Sequence, residues 1–185
     1  MKLRLSYSLL STWERGEIER AVQMYFHMDT PSSPQMDDGK RIHDLIEKHI
    51  LKHKKLPDWL PDIKLKDPKP EEVMTVEYND MFDLKVRLDC LDGDTILEYK
   101  TGVSSSMDYA NTGQIPFYFL VSELNKVPVN QAYIIHHNQY SKTNDFTKIY
   151  NSRRIVERAK NLVDSLGPEI YEHFNREGLI WNLKR

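Results

Sequence analysis

Two charged residues, Glu98 and Lys100, close an otherwise apolar stretch with the sequence TILEYKTG, Thr95 to Gly102. Such side chains are expensive to bury unless they are paired or used in chemistry. A second carboxylate, Asp89, lies on the preceding apolar run. Two nearby carboxylates can hold a hard divalent cation such as Mg²⁺, and a lysine beside it can orient or help deprotonate a bound water and stabilise charge on a phosphate. This combination suits the hydrolysis of a phosphodiester bond.

The dipeptide Asp92-Gly93 predicts a tight turn between the two apolar runs, and this turn determines whether the charges meet. With a two-residue turn there, Arg87 faces Glu98, and Asp89 lies diagonal to Glu98 at roughly 5 to 8 Å. Asp89, Glu98 and Lys100 then share one face of the hairpin. The other face would pack on helices and carries an apolar row: Leu84, Val86, Leu88, Cys90, Thr95, Leu97 and Tyr99.

The same hairpin also allows a structural interpretation. Its polar face could simply meet water, with Arg87 and Glu98 as a cross-strand ion pair. A three-residue turn would change the register and separate the charges. The hairpin alone therefore leaves both interpretations open.

Three polar side chains on predicted helices could complete a site. His43 lies on the helix before the sheet and could bind a metal or a phosphate, or be an ordinary surface histidine. Gln114 and Tyr118 lie four residues apart after Lys100, so they project from one face of a helix. Alternatively, they form a polar helix flank with the tyrosine closing the core.

The predicted elements in the middle of the chain have the order helix, strand, strand, strand, helix, strand. Ser8 or Ser11 caps a first helix that runs to about Tyr25. A loop from Asp29 to Asp38 and then a second helix follow, and a proline-rich crossing leads to the sheet. The predicted strands lie near Val73 to Glu77, from about Leu84 to Leu91, from Asp94 to Lys100 and from Gln131 to His136.

Helices are also predicted after the hairpin. One runs from about Asp108 to Leu124, and Pro116 either kinks it or marks its true first turn. Two further helices fill residues 151–177. Together these elements predict an α/β domain with a central mixed sheet flanked by helices and with extra helices at both ends.

The composition limits the class of protein. At 185 residues and 39% hydrophobic content, the chain fits a single domain, residues 1–185. The lone cysteine, Cys90, excludes an internal disulfide and a four-cysteine iron–sulfur cluster. No apolar run is long enough to span a bilayer and no signal-peptide pattern is present, which predicts a cytoplasmic protein without a membrane partner. The net charge of -2 gives no global attraction to nucleic acid.

Five motifs occur in an order that resembles the PD-(D/E)xK nuclease superfamily, specifically its RecB-like branch, which includes the CRISPR-associated nucleases. The opening SYSLLSTWERG resembles the start of the N-terminal helix of that branch. GKRIH resembles its histidine motif, VRLD its first acidic motif, LEYKTG its E-x-K motif and QIPFY its Q-x-x-x-Y motif. The four motifs of the core cover residues 39–118, and the opening extends the likeness over roughly two thirds of the chain.

The resemblance implies a role for each motif residue. His43, Asp89 and Glu98 would bind Mg²⁺ or Mn²⁺ with help from the Tyr99 carbonyl, and Lys100 would act on the nucleophilic water. Gln114 and Tyr118 would position the DNA strand or the lysine. It also implies a restriction-endonuclease-like core in αβββαβ order, at about residues 37–138. Glu47, one turn after His43, is a weaker candidate for an additional acidic site.

The sequence departs from this family at two places. Many relatives hold an iron–sulfur cluster with four cysteines, whereas Gly16 stands about where the first would be and the C-terminal LIWNLKR has none, so no iron–sulfur cluster is expected. Leu88 also replaces the proline that names the motif, a position at which this branch often varies.

The function that follows is a metal-dependent deoxyribonuclease, an exonuclease in preference to an endonuclease, acting on DNA ends or single strands in DNA processing, repair or recombination. Tyr7, Trp13 and Tyr118 could stack on unpaired bases, although aromatic residues at helical spacing usually belong to the core. A helicase or another recombination protein would supply unwinding, and a viral protein would act in the host cytoplasm. The alternatives are a catalytically inactive nuclease-fold subunit that binds DNA or assembles with other proteins, and a plain interaction domain.

Overall fold

The computed structural model describes residues 2–28 and 33–179, and its centre is a six-stranded mixed β-sheet with helices packed on both faces. The predicted αβββαβ order is confirmed, with a short extra helix before the last helix of the core. The elements are β1 (Leu3–Leu5), α1 (Tyr7–Glu14), α2 (Ile18–Tyr25), α3 (Pro34–His53), β2 (Pro68–Glu77), β3 (Phe82–Asp92), β4 (Thr95–Gly102), α4 (Ser106–Ala110), α5 (Gln114–Leu124), β5 (Gln131–Asn138), β6 (Asn144–Tyr150) and α6 (Arg153–Arg176).

The central strand β3 has two unequal edges. Strand β2 pairs with it in antiparallel fashion along nearly its full length. On the other edge, β1 pairs in parallel at Phe82–Leu84, and β4 pairs in antiparallel fashion at Cys90–Asp92. The stretch between these pairings, which includes Asp89, therefore has no strand neighbour on this edge within the described part of the chain. Strand β4 continues the sheet through parallel β5 and antiparallel β6.

The predicted hairpin register is wrong by two residues. Asp92 pairs with Thr95, so the turn is Gly93-Asp94 rather than Asp92-Gly93. The carboxylate of Asp92 accepts hydrogen bonds from the backbone N–H groups of Lys66 and Asp67, which hold this residue within the strand. The ladder between β3 and β4 ends at Cys90 and Leu97, so Asp89 and Glu98 lie one position beyond its last pair.

The single apolar face predicted for the hairpin is also wrong, because both faces of the sheet are covered. Leu84, Val86 and Leu88 belong to the larger core with α1, α5 and α6. Cys90, Leu97 and Tyr99 instead pack with Ile46 and Ile50 of α3. The alternation of β3 is thus interrupted between Leu88 and Cys90, at Asp89. The interpretation of a water-facing polar side is excluded for Glu98, which is only 3% exposed.

The N-terminal helix is divided into α1 and α2. Ser6 caps α1 by accepting the N–H of Leu9, so the predicted caps Ser8 and Ser11 lie inside the helix. The chain then turns at Gly16, whose φ of 77° is readily adopted only by glycine. Helix α3 begins within the predicted loop, because Ser33 caps it and Pro34 takes its first position. The first part of that loop, residues 29–32, lies outside the described residues.

The later helices differ from the prediction in two ways. The predicted helix from Asp108 to Leu124 consists of α4 and α5, which are separated near Gly113, and Pro116 lies in the first turn of α5. The two predicted C-terminal helices form one helix, α6, which continues through Pro168. Packing of its buried face on the larger core explains why the helix continues. This face consists of Val156, Ala159, Val163, Ile170 and Phe174.

Strands β1 and β6 at the margins of the sheet were not predicted. β1 has only three residues, and β6 has no fully buried residue, so neither shows a clear apolar pattern. Every helix in residues 2–28 and 33–179 is too short or too polar to cross a bilayer.

Candidate active site

An open cleft of about 1180 Å³ lies where α3 faces the hairpin and the end of β5. His43 and Glu47 reach it from α3, Asp89 from β3 and Lys100 from β4. The structure thus brings these predicted residues to one cavity, although they are up to 57 positions apart in sequence (100 − 43). Glu98, Gln114 and Tyr118 lie behind its wall.

Glu98 is the centre of a buried hydrogen-bond network. Its Oε1 accepts from Lys100 Nζ at 2.7 Å and from Gln114 Nε2 at 2.6 Å. Gln114 Nε2 also donates to the Tyr118 hydroxyl at 2.6 Å, and that hydroxyl donates to the Arg87 carbonyl at 3.4 Å. The acceptor on Arg87 is free because β1 and β4 leave this part of β3 without a strand neighbour on that edge. Helix α5 therefore contacts Glu98 through Gln114 and β3 through Tyr118.

Asp89 connects the hairpin to α3. Its Oδ2 accepts the backbone N–H of Tyr99 at 2.7 Å, a bond that fixes the carboxylate beside β4. Its Oδ1 lies 3.6 Å from His43 Nδ1, an ion-pair separation rather than a hydrogen bond. The His43 ring also meets the Tyr99 ring edge-on, with centroids 6.1 Å apart. The histidine of α3 and the first acidic residue of the hairpin are thus neighbours.

The electrostatics of the site centre on the buried carboxylates. Burial, together with the charge of Asp89, raises the pKa of the Glu98 carboxyl to about 7, although Lys100 opposes the shift. Burial acts to lower the pKa of the Lys100 ammonium, but the charge and hydrogen bond of Glu98 outweigh it and raise that pKa. For His43, burial likewise acts to lower the pKa, and Asp89 reverses the direction. A second cation near Glu98 would favour its ionised form.

The predicted metal ligands are close but do not form a ready-made site. Among the described residues, no three His, Cys, Asp or Glu side chains are grouped as metal ligands. Glu98 directs Oε1 to Lys100 and Gln114, whereas Oε2 is buried without a hydrogen-bond partner in the described structure. A buried carboxylate oxygen without a partner is costly. Two carboxylates and an imidazole fit the donor preferences of Mn²⁺, and the carboxylates those of Mg²⁺.

The cleft also contains residues that the sequence analysis missed. Glu71 of β2 lines it, adopts a φ of 55°, and pairs with Arg87 at 3.1 Å. Arg87 therefore does not pair with Glu98. Burial raises the pKa of the Glu71 carboxyl, which Arg87 opposes and Asp89 reinforces. In the sequence, the only indication of a role for Glu71 is that it forms an acidic pair with Glu72 after Pro70. Such a pair is also typical of an ordinary solvated strand end.

Tyr109 of α4 is a second missed residue. The Lys100 ammonium lies 5.6 Å from the centroid of its ring, and its hydroxyl donates to the Thr101 carbonyl at 3.2 Å. The first contact is within the range of a cation–π interaction. Within the described structure, the Lys100 ammonium therefore has two contacts, its hydrogen bond to Glu98 and the ring of Tyr109. Tyr109 lies nine positions after Lys100 (109 − 100), a spacing that does not predict contact between the two side chains.

The aromatic residues considered for base stacking belong to the core. Trp13 is 5% exposed and Tyr118 is 7% exposed. The Tyr7 hydroxyl accepts the backbone N–H of Gly113 and so ties α1 to the start of α5. Trp13 and Tyr118 are thus core residues, and Tyr7 packs against the same core. His136 is also structural in its contacts, since its buried ring bonds Asp145 at 2.8 Å.

The fold resembles those of solved nucleases. A proposed exonuclease from Eubacterium rectale superposes with a TM-score of 0.61 at 14% identity, over 94% of this chain and 82% of that one. An alkaline exonuclease from Laribacter hongkongensis, in complex with dAMP, gives 0.55 at 10% identity over 96% and 94%. A phage-related exonuclease from Haemophilus somnus gives 0.55 at 12% identity over 96% of each chain.

At these identities, the likeness establishes the fold. The chain has the mixed α/β fold of these exonucleases, with a central sheet flanked by helices. No protein-family model matches the chain, and no curated protein matches it in sequence. The roles of individual residues therefore depend on the geometry of the site.

Proposed function

We propose that this protein is a metal-dependent deoxyribonuclease of the RecB-like branch, an exonuclease that hydrolyses phosphodiester bonds at DNA ends or in single strands. The observation that carries the proposal is the arrangement of Asp89, Glu98 and Lys100 beside an open cleft, with Gln114 and Tyr118 bonded behind them. The fold shared with solved exonucleases supports it. Its place in DNA processing, repair or recombination is part of the same proposal.

Asp89, Glu98 and His43 would hold Mg²⁺ or Mn²⁺, with the Tyr99 carbonyl as a further ligand. The bound ion would supply Lewis-acid activation of water and of the scissile phosphate. Asp89 is already oriented for this role by the Tyr99 N–H, and Glu98 has one carboxylate oxygen without a partner in the described structure. Four further carboxylates line the cleft itself: Asp44, Glu47, Glu71 and Asp89.

Lys100 would orient the attacking water and stabilise the charge that develops on the phosphate. Its raised pKa keeps the ammonium protonated at neutral pH, so its first contribution is as a hydrogen-bond donor and a positive charge. Glu98 and the Tyr109 ring hold it from two directions. Gln114 and Tyr118 act as positioning residues that do not line the cleft, because Gln114 bonds Glu98 and Tyr118 bonds Gln114.

The test is cleavage of end-labelled single- and double-stranded DNA in Mg²⁺ or Mn²⁺, with a chelator control. Lys100→Ala should lose at least about 10²-fold in cleavage rate, the usual cost of a removed electrostatic group at a transition state. Lys160→Ala is the matched control, since Lys160 is an exposed lysine on α6, outside the cleft. Cleavage that is unchanged in Lys100→Ala would refute the site. DNA binding without cleavage would favour the inactive subunit.

A further inference from the structure

Three apolar side chains are exposed at the rim of the cleft, around the predicted catalytic residues. Tyr140 is 67% exposed, Val103 74% and Met36 58%, and all three line the same cavity as Lys100 and Asp89. They come from three separate elements: the β5–β6 turn, the segment after β4 and the start of α3. Apolar side chains that converge from different elements on one cavity are typical of a ligand site, whereas single exposed ones are ordinary. We refer to these three residues as the apolar rim.

The turn that carries Tyr140 is tightly bonded. The side-chain oxygen of Asn138 accepts the N–H groups of Tyr140 and Ser141, at 3.0 and 3.1 Å. The backbone of Asn138 exchanges hydrogen bonds with Thr143 and Lys142, at 2.9 Å each. This turn therefore presents the aromatic ring from a defined backbone, which lowers the entropy lost when a ligand stacks on it.

A polar group next to Tyr140 lacks a partner. The side-chain nitrogen of Gln139 is buried, yet it forms no hydrogen bond within the described structure, and the residue lines the same cleft. A buried amide donor without a partner costs free energy that a ligand acceptor would recover. The rim therefore combines a flat aromatic surface and apolar neighbours, beside a buried amide donor that has no partner within the described structure.

We propose that the apolar rim and Gln139 form a subsite for an unpaired nucleobase of the DNA strand in the cleft. Bases offer both a flat face for stacking and hydrogen-bonding edges for an amide, and a duplex hides these groups within its own stack. Lys40 lines the same cleft and would meet a backbone phosphate of that strand. This subsite rests on the proposed function and makes it specific, since it favours single strands or frayed ends over closed duplex.

The experiment measures binding of a labelled single-stranded oligonucleotide and a blunt duplex by fluorescence anisotropy with Mg²⁺. The parent protein is Lys100→Ala, which should cleave at least about 10²-fold more slowly than the wild type. Tyr140→Ala should weaken single-strand binding roughly fivefold or more, the lower range for removal of one stacked base. Tyr140→Phe should bind within about twofold of the parent because the ring remains. The duplex should change less than the single strand.

Two controls distinguish stacking from a structural effect. Tyr150 is a 63% exposed tyrosine at the far end of β6, outside the cleft, and Tyr150→Ala should leave both affinities unchanged. An oligonucleotide with abasic sites in place of its terminal bases should bind the parent more weakly than the intact strand and should bind Tyr140→Ala and the parent equally. The abasic result requires contact between Tyr140 and a base.

Each remaining outcome decides between the two proposals. If the parent binds oligonucleotide and Tyr140→Ala binds it equally well, the subsite is refuted while the proposed nuclease function stands. The same conclusion follows if Tyr140→Ala weakens binding of the intact and abasic strands equally. If neither the parent nor the wild type binds either DNA substrate in the presence of Mg²⁺ or Mn²⁺, both the subsite and the proposed function are refuted.

Discussion

The β3–β4 hairpin buries two carboxylates, Asp92 at its turn and Glu98 at its open end. The two differ in how many of their oxygens have hydrogen-bond partners. Asp92 is 7% exposed, and three hydrogen bonds from the backbone N–H groups of Lys66 and Asp67 satisfy it. Glu98 is 3% exposed, and one of its oxygens has no partner in the described residues. Both acids lie in one hairpin, but only one of them is fully satisfied by the protein.

This difference separates a structural carboxylate from a functional one. The hydrogen bonds of Asp92 join the segment before β2 to the end of β3, so its carboxylate oxygens are satisfied within the structure. Glu98 instead has a pKa raised to about 7 by burial and by the charge of Asp89. A carboxylate whose charged form the protein destabilises in this way is a candidate for binding a cation or for catalysis. Substitution of each residue tests this contrast between a structural and a functional carboxylate.

The largest expected effect is on catalysis at Glu98. Glu98→Gln keeps the shape and an oxygen that can accept from Lys100 and Gln114, but it removes the negative charge. Cleavage of end-labelled DNA in Mg²⁺ should fall about 10²- to 10³-fold, as for other losses of an electrostatic group. Unfolding in urea should require at least as much denaturant as for the wild type, because a costly buried charge is gone. Cleavage within tenfold of the wild-type rate would contradict the proposed role.

Asp92 should show the opposite pattern. Asp92→Ala removes the acceptor for the N–H groups of Lys66 and Asp67 and leaves these part-buried donors without that partner. The free energy of unfolding should fall by about 1 to 3 kcal/mol, measured by urea denaturation. Cleavage per folded molecule, assayed well below the unfolding transition, should remain close to that of the wild type. A large loss of cleavage without a loss of stability would remove the distinction between the two carboxylates.

The sequence predicted the parts of the site that depend on short spacing. The positions of Glu98 and Lys100 on one strand, and of Gln114 and Tyr118 on one helix, follow from local periodicity. The element order from α3 to β5 followed from the same reasoning. The metal-binding and catalytic roles of these residues stay predictions, because no ligand and no matched family model tests them.

The parts that the sequence could not predict depend on contacts between distant residues. The hairpin register is set by Asp92 and by backbone groups about 25 positions earlier, which no local rule for turns contains. Glu71 reaches the cleft through the long pairing of β2 with β3, and Tyr109 reaches Lys100 through the position of α4. Continuity of α6 through Pro168 likewise comes from packing on the larger core, which overrides the local cost of proline.

The smallest expected effect concerns pH. Since the pKa of Glu98 is raised from an ordinary 4.5 to about 7, the folded protein binds more protons than the unfolded chain between these values. Its contribution to stability is therefore present below pH 4.5 and is lost as the pH rises toward 7.

In the presence of a chelator, the wild type should lose about 1 to 2 kcal/mol relative to Glu98→Gln across this window. Urea denaturation at pH 4.5, 5.5 and 6.5 measures the difference. Because the Glu98 charge is one of the groups that raise the pKa of His43, the difference between the two proteins reports Glu98 together with its effect on His43. Parallel curves for the two proteins would mean that the protein satisfies Glu98 as fully as Asp92, and that its unpartnered oxygen carries no cost.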